Sequence, residues 1–161
     1  MNILKVTVFF LTSLLCVSVF AEKLHIAVAS NFTAPMKEIA IRFEQKFGHK
    51  LTVSYGSSGK IYAQLKHGAP FDVFLSADQE KPKALIEQGM VVDSSRITYA
   101  YGGLAVASVY PELITNVKET LQSGAYKKLA LANPKLAPYG AAAVEVLQKL
   151  EINELARRHW V

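Results

Sequence analysis

The sequence predicts an α/β fold in which a parallel sheet is covered by helices on both faces. Three observations carry the prediction. Short β-type runs alternate with stretches of 3.6-residue apolar spacing. Gly or Pro punctuates most junctions between them. Three segments place small or hydroxyl residues where a strand is followed by a helix.

The elements follow in order. Leu24-His25-Ile26-Ala27-Val28 reads as a buried strand running into Ala29-Ser30-Asn31-Phe32-Thr33. Met36, Ile39, Ala40, Phe43 and Phe47 then form one helical stripe. Thr33 is the expected N-cap, Pro35 fits the first turn and Gly48 stops the helix. Leu51 to Tyr55 is the second strand, and Gly56-Ser57-Ser58-Gly59 a turn. A short helix with Ile61 and Leu65 on one face ends at Gly68. Phe71 to Leu75 is the third strand, followed by a helix from Pro82 to Gln88 that ends at Gly89. Ile97 to Val109 is a long β-type stretch interrupted by Gly102-Gly103, expected to cross between two lobes. Asn116 is placed to cap a helix through Leu121. Leu129 to Ala132 reads as a strand, and Pro138 opens a helix carrying Val144, Leu147 and Leu150. Glu154 to Val161 reads as a helix interrupted in mid-pattern.

Composition narrows the function classes. A chain with 51% hydrophobic and 19% charged residues has the makings of a packed core, which excludes a disordered or collagen-like protein. One Cys excludes an internal disulfide framework. The net charge of +5 is spread along the chain, and Arg157-Arg158 is the sole Arg pair. A nucleic-acid face would show denser basic residues with aromatics between them, so no nucleic-acid partner is expected.

Residues 1–21 read as a cleavable secretory signal peptide. Lys5 supplies the positive start, Val6 to Phe20 carries no charge, and Val19 and Ala21 have the spacing of a small-residue cleavage site. An uncleaved membrane anchor is the competing reading. The run is shorter than the roughly 20 residues that span a bilayer. Leu15 before Cys16 is too large for a lipoprotein site. The expected location is the periplasm, and the expected mature chain has no cysteine.

Three segments carry candidate chemistry: Ala29-Ser30-Asn31, Ser57-Ser58-Gly59 and Pro138-Tyr139-Gly140. A helix start offers about four unpaired backbone N–H groups and roughly half a positive charge. That is an anion site without an ionic side chain. Taken singly, Ser30 or Asn31 is an ordinary cap, Ser57-Ser58 a plain turn and Pro138 a first-turn residue. Only their combination points to a ligand.

Enzyme patterns fit less well. Ser57 and Lys60 make the Ser-x-x-Lys pair of certain serine hydrolases, but the companion Ser-Asp-Asn and Lys-Thr-Gly tripeptides do not occur. Ser54 and Ile61 stand where a phosphate loop needs Gly and Ser or Thr. Lys60 also occupies the last Gly of a nucleophile elbow, and reads more simply as a solvated helix residue. His25, His49, His67 and His159 lack metal-ligand spacing. Asp72, Asp78 and Glu80 read as strand-end and helix-start acids.

Three stretches resemble a known family. They are Val28-Ala29-Ser30-Asn31-Phe32; Gly56-Ser57-Ser58-Gly59 with Tyr62-Ala63-Gln64 and Gly68 through Asp78; and Ala132-Asn133-Pro134 with Ala137-Pro138-Tyr139-Gly140. The chain resembles the periplasmic molybdate-binding proteins, the solute receptors of molybdate ABC transporters, over nearly all of residues 24–152. The resemblance implies a two-lobed, type II-like periplasmic binding protein. Residues 22–100 would form the first lobe, and 101–161 part of a second lobe that the family continues further.

It implies a binding protein rather than an enzyme, monomeric, with no resident cofactor. It would capture molybdate or tungstate between the lobes and deliver the oxyanion to a membrane permease. Ser30 and Ser58 would donate from hydroxyl and backbone, Asn31 and Tyr139 from backbone N–H. Molybdate is fully deprotonated near neutral pH and only accepts hydrogen bonds. The three segments contain no acid, which suits such an anion better than phosphate. A receptor for sulfate or another ligand, and an exported serine hydrolase using Ser57 and Lys60, remain the alternatives.

Overall fold

The computed structural model describes residues 23–161. The expected signal peptide, including Cys16, lies outside the described residues. Strand β1 (Leu24–Ala29) lies at the centre of a parallel sheet in the order β2-β1-β3, with β2 at Leu51–Gly56 and β3 at Val73–Leu75. Leu24 stands opposite Leu51 on one side, and Ile26 opposite Val73 on the other. A central parallel strand is covered on both faces, which is why β1 reads as a continuous apolar run. Its last four residues are all buried.

Helix α1 (Thr33–Phe47) covers one face, where Met36 packs with Ile26 and Val28. Gly48 ends it in the left-handed conformation, at φ 71°. Helix α2 (Ser58–Lys66) covers the other face, and Ile61 comes to where a Cβ on Gly56 would lie 3.4 Å away. Helix α3 (Glu80–Glu87) buries Leu85 and is capped by Asp78, whose carboxylate accepts the Lys81 N–H at 2.8 Å.

A second core is built from residues far along the chain. Leu121 of α4 (Val117–Ser123), Leu147 of α5 (Pro138–Lys149) and Ala156 of α6 (Asn153–Arg157) pack with Tyr126 and Ile152. Asn116 caps α4 as expected, accepting the N–H groups of Lys118 and Glu119. We call the regions around the two cores the first and second lobes.

Several expectations need correction. Thr33 is the first residue of α1 rather than its cap. Residues Ser30–Phe32 form a 3-10 turn before it, and the Thr33 hydroxyl donates back to the Ser30 carbonyl at 2.8 Å. Ile97 to Val109 contains no strand among the described residues. Its β-favouring side chains find no ladder partner, and Tyr101 is 96% exposed.

Leu129 to Ala132 is likewise no strand. Leu129 makes a lone parallel bridge with Trp160, so the segment at Pro138 does not follow a strand. Glu154 to Val161 is not one interrupted helix. Helix α6 stops at Arg157, and the chain turns so that Trp160 meets Leu129. The stripe on α1 is also only partly used: Ile39 and Phe47 remain exposed, and Ile39 and Phe43 line an apolar groove of about 280 Å³.

Candidate functional site

Ser30 of the first candidate segment and Ser57 of the second line one open cavity of about 430 Å³, and the loop just before the third segment borders it. Ser30, just past β1, lines it from one side. Gly56, Ser57 and Lys60 line it from the end of β2 and the start of α2. Asn133, Leu136 and Ala137 close it from the loop before α5. The cavity therefore sits beyond the carboxyl ends of parallel strands, where the ends of two strands and the starts of two helices converge. Its volume exceeds what one tetrahedral oxyanion fills, so the cleft is open as it stands.

Backbone approach joins the second segment to the loop that precedes α5. The Gly59 N–H donates to the Leu136 carbonyl at 3.1 Å. A Cβ at Gly59 would come within 2.8 Å of that same oxygen, so only glycine permits the approach.

The four predicted site residues are placed differently. Ser30 lines the cavity, and Asn31 is its exposed neighbour in the 3-10 turn. Ser58 is fully buried as the first residue of α2. Its Oγ accepts the Ala77 N–H at 3.0 Å, which leaves the hydroxyl hydrogen free to donate. Tyr139 lies in the first turn of α5, half-buried. Its ring reaches back toward the crossing segment, where a methyl at Gly102 would collide with the Tyr139 hydroxyl. Ser58, Asn31 and Tyr139 thus sit one or two residues from lining positions rather than at them.

Asn133 and Lys60 also line the cavity, outside the four predicted site residues. Asn133 holds the loop together: its carbonyl accepts from Leu136 and Ala137, and its side chain accepts the Lys135 N–H at 2.9 Å. The Asn133-Pro134 pair was the available turn signal. Lys60 is exposed, as expected of a solvated helix residue, yet it also borders the cavity. It stands at the third helical position of α2, and Ser57 accepts its N–H in a long 3.4 Å cap. A cation near a helix N-terminus is unfavourable by about 0.3–1 kcal/mol.

Tyr99 ties the crossing segment to the first lobe. Its hydroxyl donates to the Ser76 carbonyl at 2.8 Å and its ring meets Phe32 edge-on. Burial, and then the neighbouring Tyr139, raise its pKa above the ordinary 10.0. The unfolded chain loses this proton first as pH rises, so Tyr99 contributes stability that is complete below pH 10 and lost through the higher folded value. Thermal melts across the alkaline range should show the midpoint falling above pH 10, and Tyr99→Phe should shallow that fall. An identical alkaline slope in the variant would contradict this account.

A parallel α/β sheet with a donor-lined cleft between two cores has the architecture of a solute receptor. The family described as bacterial extracellular solute-binding protein matches residues 24–161, and the chain belongs to it. The chain is 47% identical over 148 residues to the molybdate-binding protein ModA of Azotobacter vinelandii, covering 92% of this chain and 59% of that relative. It is 48% identical over 128 residues to ModA of Rhodobacter capsulatus, covering 80% of this chain and 50% of that one.

A solved structure described as an Azotobacter vinelandii periplasmic molybdate-binding protein superposes with a TM-score of 0.81 at 38% identity. That match covers 86% of this chain and 61% of the other. The chain therefore spans between half and three-fifths of the length of these relatives.

Proposed function

We propose that the protein captures a fully deprotonated tetrahedral oxyanion, molybdate or tungstate, in this cleft and passes it to the permease of an ABC transporter. The observation that carries the reading is the chemistry of the lining. Among the described residues that border the cavity, hydroxyl, amide and backbone groups and the Lys60 side chain occur, and no carboxylate does. A protonated anion such as hydrogen phosphate has a donor that needs an acceptor. An anion that only accepts does not.

In this reading Ser30 and Ser58 donate from hydroxyl and backbone, and Asn31 and Tyr139 from backbone N–H. Two features support those roles: the free hydrogen of the buried Ser58 hydroxyl and the helix start beside Tyr139. Uncharged dipoles grip the ion, no resident cofactor takes part, and no bond is made or broken in the ligand. The protein acts as a monomeric binding protein in the periplasm, exported by residues 1–21, with the lobe boundary near Tyr101. The names of the relatives support this ligand class.

Calorimetry of the purified protein against molybdate, tungstate, sulfate and phosphate tests the reading. Saturable heat with molybdate and tungstate, and far weaker binding of phosphate, is the expected result. A preference for phosphate, or no heat with any of the four, would overturn it.

A further inference from the structure

Lys60 breaks two local rules at once. The third position after a Ser cap favours Glu or Gln, which reaches back to the cap N–H, and helix N-termini favour negative charge. Here a lysine follows the Ser57 cap, and the first turn of α2 contains no acid. None of the salt bridges among the described residues neutralises it. It is also the one charged residue among those lining the cavity. Departures from local preference concentrate at functional sites.

We propose that Lys60 is the steering residue of the cleft. Its ammonium adds to the positive end of α2 and draws a dianion toward the mouth, and the neutral donors then hold the ion. The inference rests on the oxyanion reading above and goes beyond it, because it separates attraction from grip. A charge that acts during approach changes the association rate and its salt dependence. It leaves the dissociation rate largely alone.

The test is stopped-flow mixing of the purified protein with molybdate, read by intrinsic fluorescence, for the wild type, Lys60→Gln and Lys60→Glu at several ionic strengths. At low salt the association rate should fall roughly three- to tenfold in Lys60→Gln and further in Lys60→Glu. The differences should shrink as salt rises, because screening shortens the reach of the charge. Dissociation rates should agree within about twofold.

Thermal melting supplies a ligand-free arm. Lys60→Glu should raise the midpoint, since Glu at this position completes the cap. Equal association rates at low salt, a loss confined to dissociation, or a lower midpoint in Lys60→Glu would each overturn the assignment. A wild type that binds no molybdate would instead overturn the reading of the cleft, and the melting arm would still judge whether Lys60 is held at a structural disadvantage.

Discussion

Ser58→Ala is expected to weaken molybdate binding by roughly 1–3 kcal/mol, about five- to 150-fold in Kd. The size of the effect follows from where the hydroxyl sits. Ser58 has 0% exposure, and its oxygen already accepts the Ala77 N–H. The remaining hydroxyl hydrogen is free to donate. A hydrogen bond from a buried hydroxyl to a charged acceptor is among the stronger single contacts.

The same substitution leaves the Ala77 N–H without its partner, so folding stability should fall as well, by about 1–3 kcal/mol. Calorimetry and thermal melting separate the two effects. A lowered melting midpoint with unchanged affinity would mean that Ser58 serves the junction of α2 with the loop after β3, and not the ligand.

Gly140→Ala should produce the second large effect. Gly140 is buried in the first turn of α5, and an added Cβ would overlap the carbonyl oxygen of Ala132. That obstacle is backbone, which cannot swing aside as a flexible side chain would. The start of α5 must therefore move away from the 132–133 loop. Overpacking of this kind destabilises by about 1–3 kcal/mol, occasionally more. It also shifts the backbone of Tyr139, the neighbouring residue proposed to donate its N–H, so molybdate affinity should drop more than tenfold. Gly103→Ala is the matched control: nothing lies within 4 Å of its added methyl, and stability should change by less than about 0.5 kcal/mol. Equal melting curves for the two variants would contradict the packing argument.

Local signals were enough where the chain's own neighbours settle the conformation. The run from Leu24, the helix stop at Gly48 and the Asn116 cap all lie within a residue or so of expectation. The outcome differs where a distant partner decides. Ile97 to Val109 has the composition of a strand, but a strand exists only as part of a ladder. Leu129 pairs at one residue because Trp160 arrives there after α6, and no local pattern announces that meeting.

The candidate site divides the same way. Ser30, Ser58 and Tyr139 stood out because hydroxyls and helix starts are visible in the sequence. Lys60 and Asn133 border the cavity only because the 133–137 loop folds over the start of α2, a long-range arrangement. Gly59 belongs with them: the need for glycine there comes from a carbonyl 77 residues further along the chain.

The contact between Gly59 and Leu136 has a consequence for how the molecule breathes. One amide bond contributes about 1 kcal/mol net, which corresponds to roughly a fivefold bias between joined and parted arrangements. An ion that preferred one arrangement by a few kcal/mol would outweigh the bias this single contact supplies.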